Sequence, residues 1–416
     1  KEIFYKISSL TGATKVDSWI DIEGGIGNLF VMSSKGRREM PALPYYVDGK
    51  PEVLSKEGTF IGHHIYVPKT GIAVHINAYN FPIWGMLEKI AVNILAGVPA
   101  LVKPATATSY LTECMVKEII DSKILPEGSL QLICGSARGI LDYVNYQDVV
   151  TFTGSAVTGK MLKSHKNILE YSVPFNMEAD SLNCSVLGPE AGPETEEFNI
   201  FIKEVAKEIT VKAGQKCTAI RRTIVPEKYS EEVMKALTAR LQKTTIGNPT
   251  TEGVRMGPLA SIDQKREVLD KINDLKKSCQ LIYGPEDFEV VGGDKDKGAF
   301  ISPTLLYCDK PFEKLSVHDI EAFGPVTTLM PYKTNDEAIT LANLGRGSLC
   351  GSIISTDKAF IQASVLGLAP SHGRIVVINK DCHKESTGHG SPMPQLVHGG
   401  PGRAGGGEGL FERDGG

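Results

Sequence analysis

Cys217 lies in the run Lys212-Ala213-Gly214-Gln215-Lys216-Cys217-Thr218-Ala219-Ile220-Arg221-Arg222. A thiol is the strongest nucleophile among the uncharged side chains, and the charges of Lys212, Lys216, Arg221 and Arg222 would favour its thiolate. Most cysteines are small buried hydrophobes, so the nucleophile reading depends on what the rest of the chain supplies. Asn80, in Asn77-Ala78-Tyr79-Asn80-Phe81-Pro82, follows the strand-like run Ile72–Ile76. The ordinary use of such an Asn is an Asx-turn or a helix cap; the other is to aim its amide at an oxyanion. Glu178 stands between Met177 and Ala179, where partial burial would raise its pKa toward the range of a general base. A solvated or capping Glu is the commoner case.

The elements around these residues alternate. Strand Ala100–Val102 emerges into Lys103-Pro104-Ala105-Thr106, and strand Asp148–Phe152 into Thr153-Gly154-Ser155. Both are strand-to-loop junctions of an α/β sheet, where function gathers. Lys103 there is either solvated or bound to a ribose or phosphate. The small residues Gly154 and Ser155 let backbone N–H groups face a phosphate, although the loop is neither a GxGxxG nor a Walker motif. Glu321-Ala322-Phe323-Gly324-Pro325 sets an acid and an aromatic ahead of a turn, with a packed Phe as the plain reading. Cys382, His383 and His389 match no standard metal-ligand spacing, so no metal site is expected. Strand–helix alternation predicts an α/β fold built on a parallel, doubly wound sheet.

The 416 residues, 41% apolar and 23% charged, suffice for two domains. Gly188-Pro189-Glu190-Ala191-Gly192-Pro193 marks the boundary, which predicts a dinucleotide-binding domain over 1–187 and a second domain over 188–395. The Gly- and Pro-rich 396–416 reads as loop or disordered tail. A net charge of −4 offers no footprint for nucleic acid or an anionic membrane. Eight cysteines without a CxxC pair suit reduced thiols in the cytoplasm. The apolar run 90–102 is broken by Asn93, Gly97 and Pro99, and neither end carries a signal peptide. Lys1–Leu10 looks like the middle of a helix, which predicts a start inside a longer protein.

In order along the chain, Asn80-Phe81-Pro82, Lys103-Pro104-Ala105, Phe152-Thr153-Gly154-Ser155, Glu178, Gly214-Gln215-Lys216-Cys217 and Glu321-Ala322-Phe323-Gly324-Pro325 resemble the motifs of the aldehyde dehydrogenase superfamily. The resemblance covers nearly the whole chain. It is nearest to the dehydrogenase portion of the bifunctional ring-opening proteins of bacterial phenylacetate degradation. It implies a Rossmann-type cofactor domain and an α/β catalytic domain, with 50–68 as an oligomerisation hairpin. Cys217 would be the nucleophile, Asn80 with the Cys217 N–H the oxyanion hole, and Glu178 the base. Lys103 would hold the adenosine ribose, Ser155 beside Gly154 the pyrophosphate, Glu321 the nicotinamide ribose and Phe323 its ring.

Two positions depart from the family pattern. Glu178-Ala179-Asp180-Ser181 stands where Glu-Leu-Gly-Gly is usual. Thr106 stands where NAD-preferring members often carry a Glu, which predicts use of NADP at least as well as NAD. The implied substrate is a CoA-linked semialdehyde of the 3-oxo-5,6-dehydrosuberyl-CoA type in aromatic catabolism. The implied assembly is a homo-oligomer with a fused hydratase-like domain beyond this chain. Two other readings remain open at this point: a CoA-acylating dehydrogenase, and a silent scaffold of the same fold.

Overall fold

Thr14 has the side chain to begin a helix and Asp17 the carboxylate to complete a capping box, so the chain turns there from α1 (Glu2–Ser9) into the 25-residue α2 (Lys15–Glu39). A computed structural model of the chain describes residues 1–396 and 398–405; Val397 and 406–416 of the predicted tail lie outside the described residues. After α2 comes an antiparallel hairpin, β1 (Tyr46–Val53) and β2 (Ile61–Tyr66), exposed along almost its whole length.

Strand β3 (Ala73–Ile76), α3 (Trp84–Leu95), β4 (Ala100–Lys103), α4 (Ser109–Asp121), β5 (Leu130–Leu132), β6 (Val149–Thr153), α5 (Ala156–Lys163), α6 (Lys166–Glu170) and β7 (Phe175–Glu178) build the first sheet. Its five strands are parallel in the order β5-β4-β3-β6-β7. The chain winds outward from β3 to β5, then returns to the other side of β3, as the alternation predicts. The crevice outside the carboxyl ends of β3, β4 and β6 is where such sheets take ligands.

The N-terminus of α3 begins at Ile83, which has no side chain to cap it. Asp21 of α2 fills that role, accepting from Ile83 N at 3.2 Å and Trp84 N at 2.8 Å. Burial pushes its carboxyl up to about 6, against the pull of Lys212 and these two N–H groups. Asp21→Ala is expected to destabilise the protein by about 1–2 kcal/mol, read as a fall in the thermal midpoint.

The second sheet has seven strands in the order β10-β11-β12-β9-β8-β13-β14. They are β8 (Cys184–Leu187), β9 (Arg222–Pro226), β10 (Gln280–Tyr283), β11 (Thr304–Tyr307), β12 (Val326–Tyr332), β13 (Ser348–Ile354) and β14 (His372–Ile378). Only β10, at the edge, runs antiparallel. Helices α7 (Glu196–Thr210), α8 (Ser230–Leu241), α9 (Ile262–Lys276), α10 (Asn335–Asn343) and α11 (Lys358–Leu368) cover both faces.

Adjacent residues of one strand enter opposite cores. Val225, Leu305, Leu329 and Ile354 pack with α7 and α8, whereas Ile224, Leu306, Met330 and Ile353 pack with α9, α10 and α11. This two-sided burial explains why neighbours such as Ile224 and Val225, Leu305 and Leu306, Leu329 and Met330, and Ile353 and Ile354 are apolar in pairs. The predicted boundary after residue 187 needs correction, because Cys184–Leu187 pairs with β9 and β13 of the second sheet. A short buried strand carries no mark of which parallel sheet it joins; only its partners decide. No helix among the described residues is long and apolar enough to cross a membrane.

Candidate active site

Between α7 and β9 the backbone makes a tight left-handed turn, with φ of +55° at Lys212, +51° at Ala213 and +68° at Gly214. A Cβ on Gly214 would lie 2.1 Å from Gly324 O, so the turn requires glycine there. The backbone N–H of Lys212 donates to Asp17 Oδ1 at 2.8 Å. Asn183 then fixes the next stretch, donating to Cys217 O at 2.7 Å and Ala219 O at 3.1 Å.

The basic residues around Cys217 serve the loop rather than the thiol. Lys216 is buried against Glu208 at 2.6 Å. Arg221 donates to the carbonyls of Gly324, Gly214 and Lys216, and Arg222 to those of Leu182, Leu341 and Ala342. The Lys212 ammonium lies 5.2 Å from the centre of the Phe81 ring. The expectation that their field favours the thiolate is therefore corrected. Burial, and then the charge and hydrogen bond of Glu178, push the Cys217 thiol well above its ordinary value.

Glu178 is the last residue of β7, and its Oε1 lies 3.5 Å from His398 Nε2. One donor atom from each of Glu178, Cys217 and His398 falls within 4.8 Å of the others. Here too the expected sign is reversed. Burial alone would raise the Glu178 carboxyl, but the charge and hydrogen bond of His398, with Lys89 and Cys217, hold it at about 2. Burial lowers the His398 imidazole, yet Glu178 and Glu88 outweigh it and leave the pKa raised.

Asn80 Nδ2 donates to Gln215 O at 3.1 Å, which brings the amide to the Cys217 loop. Asn80, Glu178, Cys217 and His398 line one cavity of about 270 Å³, together with Trp84 and Glu88. Trp84 Nε1 donates to Glu88 at 2.9 Å. Burial pushes the Glu88 carboxyl up to about 7. Lys89 is buried and donates to Asn77 Oδ1 at 2.9 Å and Thr153 Oγ1 at 2.7 Å, joining the loop after β3 to the end of β6.

Sequence reasoning missed four of these residues: Glu88, Lys89, Asn183 and His398. Adjacent opposite charges inside an otherwise apolar helix were the available signal for Glu88 and Lys89. His398 lies in the segment expected to be loop or disordered; its described part is loop with a short 3₁₀ turn, Gly402–Ala404, and is packed against the protein. Residues 398–400 are buried, and Ala404 O accepts from Ala179 N at 3.0 Å.

The residues expected to bind a dinucleotide sit on separate loops, and none lines the Cys217 cavity among its described residues. Lys103 ends β4, and the exposed Thr106 follows it; burial lowers the pKa of Lys103. Gly154 and Ser155 follow β6, and Ser155 Oγ caps α5 by accepting from Thr158 N. Glu321 accepts from Ser181 N at 3.4 Å, and burial raises its carboxyl to about 7 despite Arg221. The Phe323 ring stands edge-on to Tyr79 with centroids 6.1 Å apart.

An ammonium, a hydroxyl at a helix N-terminus and a buried carboxyl are the donor and acceptor types that a dinucleotide needs along such a crevice. The set fits, with one competing contact: Ala156 N, in the first turn of α5, already donates to Asp180 at 2.9 Å.

A family model described as aldehyde dehydrogenase family matches residues 7–388. The 3,4-dehydroadipyl-CoA semialdehyde dehydrogenase of Aromatoleum evansii is 44% identical over 394 residues, which are 94% of this chain and 76% of that protein. Protein MaoC of Klebsiella aerogenes is 49% identical over 157 residues, 37% of this chain and 45% of its own length. A betaine aldehyde dehydrogenase from Staphylococcus aureus, solved in complex with NAD+, shares the fold at TM-score 0.82 and 23% identity, over 98% of this chain and 76% of that one. A succinic semialdehyde dehydrogenase from Streptococcus pyogenes, solved with NADP+, gives TM-score 0.79 at 20% identity over 98% and 82%.

Proposed function

The chain belongs to the aldehyde dehydrogenase family, and from that premise we propose that it oxidises a CoA-linked semialdehyde to the carboxylate through a thioester on Cys217. The observation that carries this reading is the shared cavity, in which a buried thiol, an amide and a carboxylate–imidazole pair converge. CoA linkage draws its support from the similarity to the Aromatoleum protein, whose name gives a CoA-linked semialdehyde; a place in aromatic catabolism rests on the resemblance of the motifs.

Cys217 Sγ attacks the aldehyde carbon as its proton passes to the Glu178–His398 pair. The value of about 2 for Glu178 belongs to the state in which His398 carries its proton; with His398 neutral, its imidazole is the base of the pair, and Glu178 stabilises the charge it gains. Asn80 Nδ2 and the Cys217 N–H stabilise the alkoxide, a donor role worth ~10²–10³ in rate. A bound nicotinamide dinucleotide would supply the hydride acceptor. Loss of hydride leaves the acyl group on Cys217, and the Glu178–His398 pair then takes a proton from the water that releases the acid.

Hydrolysis rather than transfer to free CoA is the reading that a base beside the thioester supports. Turnover without added CoA is the test; product formed only when CoA is supplied would replace hydrolysis with acyl transfer. A panel of free and CoA-linked semialdehydes, run with both dinucleotides, tests the substrate.

For the dinucleotide, Lys103 and Ser155 are assigned to ribose and pyrophosphate, Glu321 and Phe323 to the nicotinamide end. Thr106 puts no carboxylate near a 2′-phosphate, which supports NADP. Thr106→Glu is expected to lower kcat/KM for NADP by about tenfold or more through like-charge repulsion, with little change for NAD; equal losses for both would remove Thr106 from this role. The uncovered side chains of Val53, Phe60, Ile61 and Ile65 on the β1–β2 hairpin support a homo-oligomer contact, and eight free cysteines support a cytoplasmic setting.

A further inference from the structure

We propose that Cys217, Glu178 and His398 form a zinc site that switches the enzyme off reversibly. Thiolate, imidazole and carboxylate are the three donor types that zinc takes, and three protein ligands with one open position is an ordinary zinc arrangement. Ligands about 2.0–2.3 Å from a tetrahedral zinc stand roughly 3.3–3.6 Å from one another. The Glu178 Oε1 to His398 Nε2 separation is already 3.5 Å, and the nearest donor atoms of all three residues lie within 4.8 Å. Small side-chain rotations therefore suffice, with no backbone rearrangement.

The three ligands come from distant parts of the chain, at the end of β7, in the loop before β9 and in the segment after β14, and are held by independent contacts. Asn183 fixes the Cys217 carbonyl, and Ala404 O tethers the His398 segment to Ala179 N. All three residues line the cavity, where water would complete the shell.

Two features set the strength of the site. Zinc takes a cysteine as its thiolate, so binding releases the Cys217 proton. His398 Nδ1 is buried without a partner among the described residues, whereas strong zinc sites anchor the second imidazole nitrogen. The site is accordingly weaker than a structural one, able to fill and empty with the free metal. Glu88 adds negative charge from α3, and Lys89 and Arg374 oppose the cation. That occupancy stops turnover rests on the proposed role of Cys217, since a zinc-bound thiolate cannot attack the aldehyde.

Calorimetric titration of the phosphine-reduced full chain with zinc chloride, and with cobalt chloride as a spectroscopic probe, tests the site. One metal per chain is expected, with a sulfur-to-cobalt charge-transfer band that is absent in Cys217→Ala. Affinity should fall about tenfold or more in His398→Phe. His398→Gln serves as a second variant, and thermal melts show that each is folded. Chelation should restore aldehyde oxidation. Metal binding that survives both the Cys217 and His398 substitutions, or no binding by a chain that still gives an aldehyde-dependent hydride burst, overturns the site. Binding that requires both residues in a chain with no burst upholds the site and overturns the proposed oxidation instead.

Discussion

Cys217→Ala is expected to lower aldehyde-dependent formation of reduced dinucleotide by on the order of 10⁴-fold or more, the scale seen when a covalent nucleophile is removed. The substitution removes one sulfur from the wall of a cavity and leaves the loop's attachments in place. Asn183 holds the backbone carbonyl of residue 217, and Arg221 the carbonyls of Gly214 and Lys216. The thermal midpoint should therefore move little. Dinucleotide binding, followed by fluorescence quenching, should persist, because the residues assigned to it stand outside this cavity. Unchanged oxidation in the variant would remove Cys217 from the reaction.

Glu178→Gln separates the two halves of the cycle. A hydride burst approaching one per chain should remain, while steady turnover falls by about 10²–10⁴-fold, the usual contribution of a positioned base. The substitution also removes the charge that raises Cys217 and His398. Both pKa values should move down, the thiol toward its ordinary value and the imidazole below the wild-type one. Alkylation of Cys217 by iodoacetamide near neutral pH should consequently be faster in the variant than in the wild type. A lost burst would show that His398 cannot take the thiol proton without the Glu178 charge, and slower alkylation would show that this charge does not govern the thiol.

Asn80, Glu178 and Cys217 were legible because each sits in a short motif, and the motifs keep a fixed order along the chain. Their electrostatics were not. Counting lysines and arginines near Cys217 in sequence says nothing about the carbonyls of Leu182, Leu341 and Ala342 that absorb Arg222. Burial of Glu178 was foreseen, but the sign of its shift depends on His398, 220 positions further on.

The segment around His398 was misread for a physical reason. Glycine-rich composition suggests slack, whereas a Cβ on Gly373 would lie 1.7 Å from Gly399 O and one on Gly400 2.4 Å from Ser348 O. These glycines permit close approach. The two-sheet α/β plan was legible from alternation, but the sheet that Cys184–Leu187 joins is a property of its partners alone.

The carboxylate of Asp17 is shared between two tasks. One oxygen closes the capping box at the head of α2, and the other holds Lys212 N in the left-handed turn before Cys217. The contact closes a circuit of 195 residues, so the segment made first supplies a brace for a turn made much later. Both sheets can hydrogen-bond without it. The turn that positions the nucleophile therefore leans on a contact between parts of the chain far apart in sequence, so that α2 and the Cys217 loop share one anchor.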